Sequence, residues 1–183
     1  MKFTTLLTST VAAAAMATAA FAANPDVGGA PMFESKNIVE NAVNSKDHTT
    51  LVAAVQAAGL VDTLASPGPF TVFAPVNKAF DALPAGTVET LLEPENKDML
   101  TKVLTAHVVA GKISGAELME KAKASDSGFY QFLTVSGDTL SATVRGGKLY
   151  IVDESGNGAG VTIADVNQSN GVIHVVNSVL VPK

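Results

Sequence analysis

The chain has 183 residues, 12 of them Lys or Arg and 17 Asp or Glu, so its formal net charge at pH 7 is −5. A mildly acidic chain whose only arginine is Arg145 is a poor candidate for binding nucleic acid or an anionic lipid surface. It contains no cysteine, which excludes disulfides, so an apolar core has to hold the fold.

Residues 1–22 have the pattern of a secretory signal peptide. Lys2 precedes an apolar, Ala- and Thr-rich stretch, and Ala20-Phe21-Ala22 is the small-x-small pattern found before a signal peptidase cleavage site. The stretch is too short for a comfortable membrane span. We therefore predict an exported protein that begins at Ala23, does not insert into the membrane, and is periplasmic, secreted or associated with the cell surface.

The first half of the remaining chain has mostly helical patterning. Residues 23–36 are rich in Gly and Pro and lack periodicity, so we predict a flexible leader there and one ordered domain over 37–183. Asn37, followed three residues later by a glutamate, predicts a capping box that opens a short helix. Asp47 is in position to cap a second helix, which Gly59 ends.

An abrupt change from strand to helix is predicted at Ala74-Pro75. The β-rich run at 70–73 (FTVF) should stop at Ala74, because proline disfavours helical backbone in the residue before it. Asn77 is a typical helix cap, and apolar residues including Phe80 follow it at helical spacing.

Beyond Ser127 the apolar period changes from helical to two. Short β-branched segments (FLTV, TLSATV, KLYIV, GVTIADV and VIHVVNSVLV) are separated by turns that contain glycine. A helical first half with one early strand, followed by a strand-rich second half, predicts a single α+β domain.

Few patterns suggest catalysis or metal binding. There is no G-x-S-x-G motif, and the contexts of His48, His107 and His174 favour a solvated or capping role for the first and structural roles for the other two. The segment 153–158 (DESGNG) begins like a calcium loop, but its twelfth position is Ala164, so a hairpin turn is the simpler interpretation. We predict a non-enzymatic protein with no metal site and no cofactor; a hydrolase that uses His107 or His174 is the least favoured alternative.

Three segments resemble those of the fasciclin domain family. The segment 70–83 (FTVFAPVNKAFDAL) resembles the first homology box, with Val76 in place of the usual Thr or Ser, and 170–182 (NGVIHVVNSVLVP) resembles the second. Between them, 104–113 (LTAHVVAGKI) aligns with a segment that has a Tyr-His pair in the family, although Ala106 replaces the tyrosine. The box residues to which we assign structural roles are Phe70, Thr71, Val72, Phe73, Ala74, Pro75, Asn77, Phe80, Asn170, Gly171 and His174.

The resemblance implies an α+β fold in which a wedge-shaped pair of β-sheets packs with a layer of helices. The first box would supply a central strand and its exit helix, so we expect Val72 to face a sheet core and Phe73 or Phe80 to face the helices. On strict alternation His174 faces away from its immediate neighbours, and we expect it to be partly buried and hydrogen-bonded.

The resemblance also implies a function: a secreted adhesion or interaction module that contacts a protein or glycan on a cell surface or matrix. The small-residue signal and the compact single domain indicate a bacterial protein. In animal members the Tyr-His segment has been proposed as a receptor-binding surface. The pair Phe129-Tyr130 is a second candidate, as an exposed aromatic patch, with core packing at the start of FLTV as the alternative interpretation. The candidate binding residues are Ala106, His107, Val108, Val109, Phe129 and Tyr130.

The alternative is a periplasmic or extracellular protein that binds a small molecule or glycan in a pocket between the helices and the sheets. An exposed apolar or aromatic patch favours the adhesion module. A concave pocket with convergent polar groups favours the ligand-binding protein.

Overall fold

A computed structural model of the chain describes residues 25–182, so the predicted signal peptide and its cleavage before Ala23 lie outside the described residues. The α-helices are α1 (Ile38–Ala42), α2 (Thr49–Ala58), α3 (Val61–Ala65), α4 (Asn77–Asp81), α5 (Thr87–Leu92), α6 (Lys97–Thr105) and α7 (Gly115–Ala124). The strands are β1 (Asp26–Val27), β2 (Ala30–Pro31), β3 (Phe70–Pro75), β4 (Val108–Ala110), β5 (Phe129–Leu133), β6 (Thr139–Arg145), β7 (Lys148–Val152), β8 (Gly158–Gln168) and β9 (Gly171–Val176). None of the described helices has the length and apolarity needed to cross a bilayer.

Seven strands form one continuous hydrogen-bonded sheet in the order β4-β3-β9-β8-β7-β6-β5. The first box (β3) and the second box (β9) lie side by side and parallel at its centre. β8 is shared, since its first residues pair with β7 and its later ones with β9, and its register with β9 shifts twice between Val161 and Val166. Such bulges bend and twist a strand. The expected pair of sheets is therefore present as two arms, β4-β3-β9 and β7-β6-β5, joined through β8.

Two hydrophobic cores lie on opposite sides of β3. Val72 and Phe80 belong to the first core, which the sheet forms with α1, α2, α3, α4 and α6. Phe73 belongs to the second core, which includes Leu118 of α7 and the inward side chains of β5, β6 and β7. Successive strand residues point to opposite faces. Val72 therefore faces the helix layer and not a sheet core, so its predicted direction is wrong, and Phe73 faces away from that layer. Phe80 packs with the helices, as expected.

The predicted leader is part of the fold from Asp26 onward. β1 and β2 pair as a short hairpin whose two glycines adopt positive φ, and Met32 just after it is buried in the first core. Asn41 of α1 holds the next residue, because its Oδ1 accepts a hydrogen bond from Phe33 N and its Nδ2 donates to the Phe33 carbonyl. The prediction of a flexible leader is wrong here: the Gly- and Pro-rich composition reflects a tight turn.

Asn77 caps a different helix from the one predicted. It is the first residue of α4, whose N-cap is Val76 with no side-chain hydrogen bond. Its Oδ1 instead accepts a hydrogen bond from Thr50 N at 3.0 Å, and its Nδ2 donates to the Lys46 carbonyl at 2.8 Å. Asn77 therefore holds the start of α2 beside the first box, and Asp47 does not cap that helix.

Candidate interaction surface

The segment that aligns with the family's Tyr-His pair, residues 106–109, is buried. His107 Nδ1 donates to the Val103 carbonyl at 2.7 Å, and its Nε2 accepts from Leu180 N at 2.9 Å, so the ring links α6 to the C-terminal segment. Burial lowers the pKa of His107 to about 4, although the Val103 carbonyl and the charge of Asp153 act in the opposite direction. The structure therefore places this segment in the core and not, as predicted, on a binding surface.

His174 is fully buried in the middle of the sheet. Its Nδ1 accepts from Asp165 N at 3.2 Å, its Nε2 donates to the Ile113 carbonyl at 2.9 Å, and its ring stacks on Phe73 with the centroids 5.6 Å apart. Burial lowers the pKa of His174, opposed by the Ile113 backbone and the charge of Asp165. The neutral ring thus joins β9, β8 and the segment before α7, which agrees with the structural role expected for it.

Asn170, which opens the second box, is equally well satisfied. Its Oδ1 accepts from Ile38 N at 3.0 Å, and its Nδ2 donates to the Leu64 carbonyl at 2.7 Å and to the Ser66 carbonyl at 2.8 Å. One side chain therefore ties the start of α1 and the end of α3 to the turn before β9. The predicted capping box is present at the start of α1: the Asn37 side chain accepts a hydrogen bond from Glu40 N, and the Glu40 side chain accepts one from Asn37 N.

His48 was predicted to be solvated or to cap a helix, but it is buried, and although it is the N-cap residue of α2 its side chain makes no capping hydrogen bond. Its Nδ1 lies 2.9 Å from Ser45 Oγ, and the ring also interacts with the Ala74 backbone. Burial lowers the pKa of His48, which the Ala74 backbone and the charge of Asp47 oppose. The ring lies beside a small cavity in the first core.

The DESGNG segment is a turn fastened by Asp153. Its Oδ1 accepts from Ser155 N and Asn157 N, both at 2.9 Å, and its Oδ2 accepts from Val181 N at 3.1 Å. These donors occupy the carboxylate, as the hairpin-turn interpretation requires. Within the described chain no three His, Asp or Glu side chains form a group that could hold a metal ion.

On the outer face of β5, β6 and β7, the strand β5 carries two exposed apolar side chains. On β5, Phe129 and Leu133 are 38% and 65% exposed, whereas Phe132 points the other way into the second core. Directly paired residues of antiparallel strands share a face, so the register defines which residues of β6 and β7 surround them. We call this surface the open face; it consists of Phe129, Gln131, Leu133, Thr139, Ser141, Thr143, Tyr150 and Val152. The three β5 residues are exposed, Thr143 is buried, and the other four are half-buried.

Two features make the open face suited to a partner. β5 is the last strand of the sheet, so its outer edge has no paired strand. At the other side of the face, the Arg145 guanidinium lies 5.9 Å from the centroid of the Tyr150 ring, and Arg145 is paired with Lys148 across the β6–β7 turn. Aromatic residues and arginine are enriched at the energetic centres of protein interfaces.

The predicted aromatic pair is divided by the strand. Phe129 lies on the open face, but Tyr130 is half-buried on the opposite side, where its ring contacts Phe132 and Lys121 covers it. Tyr150 and Arg145 were not among the predicted binding residues. The alternation within TLSATVR and KLYIV is the signal that could have found them, since it places Thr, Ser, Arg and Tyr on the face opposite the inward Leu, Ala and Ile.

The sequence profile of the fasciclin domain family matches residues 46–182. The chain is 51% identical to the Synechocystis sp. protein sll1483, covering 79% of this chain and 73% of that protein. It is 37% identical to the immunogenic protein MPB70 of Mycobacterium bovis, covering 77% of this chain and 66% of that protein.

The fold is shared with a solved structure. A FAS1 domain pair from the insect cell adhesion molecule fasciclin I matches with a TM-score of 0.70 at 18% identity, covering 79% of this chain and 50% of that chain. With the profile match and the close relatives, this agreement shows that the chain belongs to the fasciclin domain family.

Proposed function

We propose that this chain is a secreted, non-enzymatic interaction module that adheres to a protein on a cell surface or matrix through its open face. Fasciclin-domain homologues are associated with adhesion and extracellular interaction, and the insect protein with the same fold is a cell adhesion molecule. The observation that carries the proposal is the exposure of Phe129 and Leu133 on β5, the last strand of the sheet.

A protein partner fits this surface better than a glycan. Natural proteins usually protect an exposed edge strand with charges, proline or a covering element. β5 (FYQFL) has neither charge nor proline, and no strand pairs with its outer edge. Phe129 N and O already contact Ser127 Oγ at 3.3 Å, so an added strand would pair with the edge beyond Phe129 while Phe129 and Leu133 enter apolar pockets of the partner. A glycan site would instead need several convergent polar groups, and the open face offers mainly short hydroxyls between its apolar rims.

Export is the second part of the proposal. The N-terminal pattern supports it, and N-terminal sequencing of the protein from a periplasmic or culture fraction should return Ala23 as the first residue. A first residue of Met1 in that fraction would contradict cleavage of a signal peptide.

Binding of purified protein to intact cells of the producing organism tests the open face. The Phe129→Ser/Leu133→Ser variant changes two exposed side chains, so it should keep the melting temperature of the wild type. Two interface anchors worth about 1–2 kcal/mol each predict at least a tenfold loss of binding. The matched control is Val43→Ser/Met99→Ser, which alters side chains that are 51% and 59% exposed elsewhere. Equal binding by both variants would contradict the proposed surface.

A further inference from the structure

The chain contains two Asn-Gly pairs, Asn157-Gly158 and Asn170-Gly171. In this dipeptide the backbone nitrogen of glycine can attack the side-chain amide carbon of asparagine, because glycine has no side chain to hinder the approach. Both pairs therefore have the same intrinsic chemistry, and their surroundings in the fold decide which of them can react.

The pair that opens the second box is held in an unreactive arrangement. The Asn170 side chain is buried, and its three hydrogen bonds join it to the start of α1 and the end of α3. Gly171 is buried between two strands, since it pairs with β3 on one side and with β8 on the other. Attack on the Asn170 side chain requires these contacts to break first.

The pair at the turn between β7 and β8 is far less constrained. Asn157 and Gly158 are both exposed, and a Cβ on Gly158 would meet open space. Asp153 N donates to the Asn157 carbonyl at 3.0 Å, so Val152 and Gly158 form the next, non-hydrogen-bonded pair of the ladder. The Gly158 N–H therefore points away from β7. Because β8 pairs with β9 only from Val161 onward, no strand of the described chain occupies this nitrogen.

We propose that Asn157 is a site of spontaneous deamidation, and that the carboxylate it forms loosens the C-terminal segment, residues 177–182. Hydroxide removes the proton of Gly158 N, this nitrogen bonds to the side-chain carbonyl carbon of Asn157, and the amide nitrogen leaves as ammonia, which takes up the proton. Water then opens the cyclic imide. Opening at one carbonyl gives an aspartate, and opening at the other carries the main chain through the side chain, which inserts an extra methylene into the backbone.

The new carboxylate lies against the buried side chain of Asp153. Asp153 is 6% exposed, and its Oδ2 accepts hydrogen bonds from Asn157 Nδ2 and from Val181 N, both at 3.1 Å. Deamidation replaces the first of these donors by a negatively charged oxygen, and like charges at this distance repel each other. The Asp153 side chain must then move or take up a proton, and either change weakens its charge-assisted hydrogen bond to Val181 N.

Peptide mass spectrometry of the purified protein, incubated in mildly alkaline buffer, measures both Asn-Gly pairs in the same molecule. In the folded protein Asn157 should convert at least about tenfold faster than Asn170, which can react only after local unfolding. In protein unfolded by urea the two should convert at similar rates, because the difference belongs to the fold. The proposal is overturned if Asn157 is not converted, if the two rates are equal in the folded protein, or if the difference persists in urea.

Gly158→Ala tests the attacking nitrogen, because the added methyl group hinders its approach to the Asn157 side chain. This variant should convert more slowly at Asn157 while keeping a melting temperature close to that of the wild type, since the new Cβ meets open space. Conversion at the wild-type rate would overturn the proposed reaction.

Two substitutions separate the new charge from the lost donor. Asn157→Asp supplies the carboxylate directly, whereas Asn157→Ser removes the amide without adding charge. Hydrogen exchange of the Val181 amide should be about threefold to tenfold faster in Asn157→Asp than in Asn157→Ser, as the weakening of one hydrogen bond allows. The Leu64 amide, bonded within α3 to the Leu60 carbonyl, should exchange equally in both variants. Equal exchange of Val181 in the two variants would overturn the proposed effect on the C-terminal segment.

Discussion

Acidification from pH 7 to pH 5 should destabilise the domain through His107. Its pKa is about 4 in the folded state, against about 6.5 for an unfolded chain. Between these values the unfolded state binds more protons than the folded state, so stability is complete above pH 6.5 and is lost as the pH falls toward 4. The full difference corresponds to about 3 kcal/mol, of which about 2 kcal/mol should be lost by pH 5.

Burial also lowers the pKa of His48 and of His174, so both residues should add to the loss of stability on acidification. Urea denaturation at several pH values measures the effect, and with an m-value of about 2 kcal/mol/M the midpoint should fall by about 1 M or more. His107→Gln should be less stable at pH 7 but should show a flatter pH dependence. Val109→Ala, a truncation in the same buried segment, should be less stable and keep the wild-type slope. An equal slope in wild type and His107→Gln would refute the role given to His107.

Three further substitutions test the packing around the two boxes. A Cβ at Gly171 would overlap the Phe70 carbonyl oxygen, so Gly171→Ala should yield little soluble protein. The control Gly158→Ala, which meets open space, should change the free energy of unfolding by less than about 0.5 kcal/mol. If purified Gly171→Ala melts like the wild type, the close approach of β3 and β9 is wrong. Val76→Thr places a hydroxyl at an N-cap with extended backbone and should stabilise the domain by about 0.5–1 kcal/mol, which a lower melting temperature would contradict. Phe80→Ala empties a buried position and should cost about 3–5 kcal/mol in chemical denaturation, and an unchanged midpoint would show that the ring is not buried.

The elements that could be predicted from the sequence are those with a local signal. Strict alternation along the second box was enough to turn His174 away from Ile173 and Val175, because a strand fixes the direction of each side chain. The capping box at Asn37 was equally visible, since both of its partners lie within three residues.

The features that could not be predicted depend on contacts between distant segments. Asn77 looks like a cap of its own helix, but its partners are 27 and 31 residues away. The Gly- and Pro-rich leader has the composition of a flexible segment, and only the core that buries Met32 makes it a hairpin. β4 has three residues, too few to show a period. β5 is an edge strand because it is last in the strand order of the sheet, and no local sequence pattern indicates that order.

Surface attachment by living cells tests the central claim most directly. A strain of the producing organism that lacks this protein should attach poorly, and expression of the wild type or of Val43→Ser/Met99→Ser should restore attachment. Expression of Phe129→Ser/Leu133→Ser at the same exported level should leave attachment close to that of the deletion strain. Full restoration by this variant would contradict adhesion through the open face.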